Sequence, residues 1–131
     1  MRPPVLTLAY RRWWVLASVA LVAFVVYGSL SAPGPTALPG GVDKVEHFAA
    51  YLFLAVWFTG LYPREHYWTL ALALAGLGLA MELLQYAMHL GRDAAPLDMA
   101  ANVAGVAAGM ALASVVTGGW AQRAEAWLAR R

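Results

Sequence analysis

The chain has 131 residues, of which 62% are hydrophobic and only 12% charged. That is about half the charge of an ordinary soluble domain, too little to cover a globule of this size in water, so a membrane protein is expected. Net charge is +2 with the nine basic residues spread over segment ends, which leaves no face for nucleic acid, and the absence of cysteine excludes disulfides and thiolate metal sites.

The first predicted span is Trp13 to Leu30, eighteen residues without a charge and long enough to cross a hydrocarbon core. Arg11 and Arg12 before it and "SLSAPG" at its end imitate a signal peptide. Its apolar run is longer than a signal core, so it reads as a retained helix. Pro33, Pro35 and Pro39, with Gly34, Gly40 and Gly41, then break the chain. A second span covers 43–62 and opens on Asp43, Lys44, Glu46 and His47. After a turn at 63–66, a third span, 67–90, contains a single acid, Glu82. A second turn, 91–96, leads to a fourth span over 98–118. The tail, 120–131, places Trp120, Trp127 and Leu128 near one helical face opposite basic residues, the pattern of a short interfacial helix. The expected fold is therefore all-α: one domain over 1–131, a bundle of four transmembrane helices plus a short C-terminal interfacial helix.

Basic residues orient this bundle. Arg2, Arg11, Arg12, Arg64, Arg123, Arg130 and Arg131 fall on one side of a four-span chain, and Lys44 and Arg92 on the other. The positive-inside bias puts both termini in the cytoplasm and the turns around 31–42 and 91–97 outside.

The polar residues within the spans gather on that outer side. Asp43, His47 and Tyr51 recur at i, i+4, i+8; Glu82, Gln85 and His89 at i, i+3, i+7; Asp98, Asn102, Gly105 and Gly109 at i, i+4, i+7, i+11. Each helix thus has one polar stripe, and burying the three together keeps them from lipid. Glu82 sits about 12 Å below the outer end of its helix. A carboxylate there costs about 2.5–3.5 kcal/mol even on insertion scales, so it should be protonated, paired or lining a wet cavity.

Plainer readings exist for several of these residues. Asp43 and Glu46 fit an Asp-x-x-Glu helix cap, and Asp98 a cap or a dipole partner. Gly105 and Gly109 form Gly-x-x-x-Gly, a close-packing signal. His47 suits an interhelical hydrogen bond as well as a functional role. His47, Glu82 and Asp98 could supply three metal ligands, but no His-x-x-x-His or Glu-x-x-His pair is present, so no metal or other cofactor is expected. No serine lies among the polar stripes, which argues against serine-hydrolase chemistry.

The composite Asp43-Lys44-x-x-His47-Phe48-x-x-Tyr51, then Glu82-x-x-Gln85, then Gly91-Arg92-x5-Asp98-x3-Asn102-x2-Gly105-x3-Gly109 resembles the VanZ-like family of small bacterial membrane proteins. The resemblance covers about residues 42–110 and implies a multi-pass protein of the inner membrane. The family's founding member is associated with resistance to teicoplanin, which targets cell-wall precursors. Together these readings lead to an expected site, at the periplasmic leaflet, for an anionic lipid-linked component of the cell envelope. Lys44 and Arg92 would hold phosphate, and Asp43, Tyr51, Gln85 and Asn102 would contact and orient the ligand. His47, Glu82 and Asp98 would transfer protons. Membrane lipids, including a lipid-linked cell-wall precursor, are the expected partners. The alternative is a non-catalytic scaffold whose polar cluster only holds helices together.

Overall fold

The computed structural model describes residues 6–31, 40–88 and 96–131. Among them are five α-helices: α1 (Arg11–Leu30), α2 (Gly40–Leu61), α3 (Tyr67–Met88), α4 (Pro96–Leu112) and α5 (Trp120–Leu128). A single 3-10 turn, Arg64–His66, leads into α3, and a π-helical stretch, Ala113–Thr117, extends α4. No strand occurs among the described residues.

Three of these segments, Arg11–Leu30, Arg64–Met88 and Pro96–Thr117, are long and apolar enough to cross a membrane. Helix α1 makes the point most sharply, since none of its residues is buried and Phe24 and Tyr27 are largely exposed. An apolar helix turned outward on that scale suits an apolar surrounding. Helix α2 has 22 residues, but its first two turns carry the four ionisable side chains Asp43, Lys44, Glu46 and His47.

Helix α2 is the spine. Its Tyr51, Leu54 and Ala55 form the buried core with Leu74 of α3 and Val106 of α4, and Leu21, Val22 and Val25 of α1 pack against them. The tightest pairing is α2 with α4, and the Gly-x-x-x-Gly of α4 is its cause. A Cβ on Gly105 would run into the Phe48 carbonyl, and one on Gly109 into Ala55 and the Leu52 carbonyl. Bare glycine lets the two backbones touch.

Two helix starts differ from the predicted ones. Helix α2 begins at Gly40, so Asp43 lies inside the first turn and is not an N-cap. Helix α4 begins at Pro96, whose missing N–H costs nothing at a first helical position, and Asp98 sits in the first turn, where the helix dipole favours an anion.

The opposite end of the bundle is closed by α5. Pro63 has no N–H to offer the Thr59 carbonyl one turn back. That carbonyl instead accepts from the Gly119 N–H at 3.0 Å and the Tyr67 hydroxyl at 3.1 Å. Gly119 turns the chain with a left-handed φ of 68°, and α5 then inserts Trp120 beside Trp14 and Trp57, each 5.3 Å away between ring centres. The indole N–H groups all find acceptors: Trp14 donates to Glu125, Trp57 to Ser18 and Trp120 to the Val56 carbonyl. Glu125 also accepts the Ala9 and Tyr10 backbone N–H groups, satisfying two donors at the start of α1. Arg64 donates to the Ser114 carbonyl, and Arg123 to those of Gly118 and Val116, so two guanidinium groups cover the negative end of the α4 extension.

Candidate functional site

Helices α2 and α4 begin at the end of the bundle where α1 and α3 finish, and the polar stripes meet there. Asp98 is 7% exposed, Glu82 5%, Gln85 4% and Asn102 0%, so these groups are removed from solvent and from lipid alike. The backbone contact at Gly105 sets the register, since it draws the first turns of α4 against those of α2.

His47 is the hub. Its Nδ1 lies 3.0 Å from the Asn102 amide oxygen, a hydrogen bond across the α2–α4 interface. Nε2, on the other side of the ring, faces Asp43 Oδ1 at 3.8 Å and Asp98 Oδ2 at 3.9 Å. Both separations exceed hydrogen-bond length. The second oxygen of Asp98, Oδ1, is 3.4 Å from the Lys44 ammonium. Asn102 itself packs against Gly78 of α3, which brings the third helix to the group.

Between α1 and α2 lies a cleft of about 320 Å³. Phe24, Val25, Gly28 and Ala50 form its apolar walls, and Asp43, Glu46, His47 and Tyr51 its polar side. The Tyr51 hydroxyl is buried and accepts or donates no hydrogen bond among the described residues, and the same holds for Asn102 Nδ2. Such groups are uncommon in a protein interior.

Of the nine residues expected in the site, Asp43, Lys44, His47, Asp98 and Asn102 form one contiguous group. Tyr51 lines the adjoining cleft. Glu82 is buried on α3. Gln85 is buried too, but its amide donates to the Ser29 carbonyl at 2.6 Å, which ties α3 to α1 rather than to His47. Arg92 lies outside the described residues. The expected phosphate-holding role of Lys44 meets a competitor, because its ammonium already faces Asp98. The wall contributed by α1 was not foreseen: Phe24, Val25 and Gly28 are apolar residues in an apolar span and carry no sequence signal.

Fold and site together define an all-helical chain of the membrane-protein type, with a buried ionisable cluster at one end of its bundle. No family model matches this chain, and no curated protein or solved structure does either.

Proposed function

We propose that the chain is a four-span protein of the bacterial cytoplasmic membrane, VanZ-like in its motifs, that takes up an anionic lipid-linked component of the cell envelope from the outer leaflet. In this reading α1 to α4 all cross the membrane, both termini are cytoplasmic, and α5 lies at the inner interface with Trp127 and Leu128 toward lipid. The observation that carries it is the α1–α2 cleft, apolar along Phe24, Val25 and Ala50 and polar at Asp43, Glu46 and His47. A lipid tail fits the first part; the second carries the Asp43 and Glu46 carboxylates, so an anionic head group is held there only with a cation between. Lys44, whose ammonium faces Asp98, supplies positive charge at this end of the bundle, and Arg92 is the second cation assigned to the head group in this reading.

The test compares a polyprenyl phosphate with the corresponding alcohol by native mass spectrometry of the full chain. Binding of the phosphate at least tenfold tighter than the alcohol is expected, with the preference lost in Lys44→Gln and Arg92→Gln. Equal binding of the two lipids, or binding of neither, overturns the reading. Orientation is checked separately: the chain has no cysteine, so single cysteines at Thr36 and Ala129 report sidedness. Labelling of the first from outside and the second only after permeabilisation is expected.

A second reading rests on the bonds His47–Asn102 and Gln85–Ser29, which tie α2 to α4 and α3 to α1. Under it the cluster is a packing device, and Glu82→Gln lowers thermal stability while no lipid preference is measurable at all.

A further inference from the structure

The polar end of the bundle presents an arrangement that lipid binding by itself does not require. One ligand-type atom from each of Asp43, His47 and Asp98 lies within 4.8 Å of the other two. With Nδ1 engaged by Asn102, Nε2 is the ring atom left facing two carboxylate oxygens. Three acceptor atoms facing one another attract a cation placed among them.

We propose that Asp43, His47 and Asp98 bind one divalent metal ion, through His47 Nε2, Asp43 Oδ1 and Asp98 Oδ2. Mixed imidazole and carboxylate ligands suit Zn²⁺ or Mn²⁺. Metal–ligand lengths of about 2.0–2.2 Å put tetrahedral ligand atoms about 3.4 Å apart, so the 3.8 and 3.9 Å separations from His47 close by a few tenths of an ångström on binding, and the two carboxylate oxygens, within 4.8 Å of each other, draw together around the ion.

Two further observations support a built site. The far atoms of two ligands are held, His47 Nδ1 by Asn102 and Asp98 Oδ1 by Lys44, as second contacts orient metal ligands elsewhere. Independently, the buried Tyr51 hydroxyl, 1% exposed as a residue and without a hydrogen bond among the described residues, lines the same cleft as Asp43 and His47. The ligand triad is not the His47, Glu82 and Asp98 set that the sequence suggested. Asp43 takes the place of Glu82, because the i, i+4 spacing on α2 aims it at the same ring nitrogen as Asp98. The ion site goes beyond the lipid reading and stands without it.

The test uses the metals alone. Full-length protein in detergent is stripped with a chelator and equilibrated separately with Zn²⁺ and Mn²⁺, and bound metal is counted per chain. One ion per chain is expected for at least one of the two, with affinity reduced at least tenfold in His47→Ala and Asp98→Asn and about 10–100-fold in Asn102→Ala. Variants in a buried cluster can lose their fold, so a second measurement keeps the native cluster. In protein carrying His66→Gln and His89→Gln, His47 is the sole histidine, and bound Mn²⁺ should show spin-echo coupling to one imidazole nitrogen. No saturable binding of either ion, undiminished binding in folded His47→Ala, or no imidazole coupling would each overturn the site. None of these outcomes depends on whether a polyprenyl phosphate binds.

Discussion

The two ends of the bundle differ in what their polar groups meet. At the tryptophan end the Trp14, Trp57 and Trp120 N–H groups have acceptors, the Thr59 carbonyl freed by Pro63 is bonded twice, and Glu125 accepts three N–H groups, with the buried Thr117 hydroxyl the exception. At the polar end, carboxylates and an imidazole nitrogen face one another beyond hydrogen-bond length, and a buried tyrosine hydroxyl makes no bond among the described residues. Satisfied polar groups stabilise a fold, whereas poorly satisfied ones persist where something else selects them. The tryptophan end therefore holds the chain together, and the polar end is the place to look for chemistry.

Substitutions at each end can break that contrast. The largest effect is expected from Trp120→Ala, which empties the ring cluster and strips the Val56 carbonyl of its indole donor. Loss of about 3 kcal/mol is expected, read as a lower melting temperature in detergent, with metal and lipid binding unchanged in the protein that stays folded. Comparable losses of both would merge the two ends into one unit.

Glu125→Gln comes next, at about 1 kcal/mol, the scale of a lost helix cap. The pH profile makes this prediction sharper. Burial raises the Glu125 carboxyl, but the N–H donors of Tyr10, Trp14 and Ala9 outweigh it and leave the group below its ordinary value of 4.5. A carboxyl depressed by folding contributes its full stability above the unfolded value and loses it as pH falls through the folded one. Wild-type melting temperature should therefore drop on acidification below about pH 4.5, and the Gln variant should show a shallower drop. Parallel profiles would remove Glu125 as the anchor of α1.

A smaller effect belongs to Arg131→Ala. The guanidinium lies 4.0 Å over the Trp127 ring at an exposed position, worth about 0.5 kcal/mol. The smallest stability change is expected where the contrast is clearest. Tyr51→Phe removes a hydroxyl with no hydrogen bond among the described residues, so melting should move by no more than about 0.5 kcal/mol in either direction. Binding of polyprenyl phosphate or metal should nonetheless weaken several-fold. A large stability loss with binding intact would make Tyr51 a structural residue and draw the polar end closer to the other.

Much of the site was legible in advance because helical spacing is local. The i, i+4 pairs Asp43–His47 and Asp98–Asn102 follow from 3.6 residues per turn, and Gly105 with Gly109 announces a close helix contact before any neighbour is known. The cap expected at Asp43 failed because α2 starts earlier, at Gly40, a boundary that glycine-rich sequence leaves poorly marked. Glu125 and Arg123 carry no spacing signal, yet Glu125 holds the start of α1 and Arg123 the end of the α4 extension. Their partners lie far along the chain or are backbone groups, which leave no mark in a residue pattern.

By itself, then, the sequence determined an all-helical chain with membrane-grade apolar segments, and which residues share a face. Those properties depend on composition and on periodicity within single helices. Only the tertiary structure decided which faces meet: that α4 touches α2 backbone to backbone, that His47 reads Asn102 on one side and two aspartates on the other, that Gln85 serves α1, and that α5 seals the far end. Register between helices is set by side-chain volumes at a handful of contacts, Gly105 foremost among them, and no spacing rule within one helix encodes it.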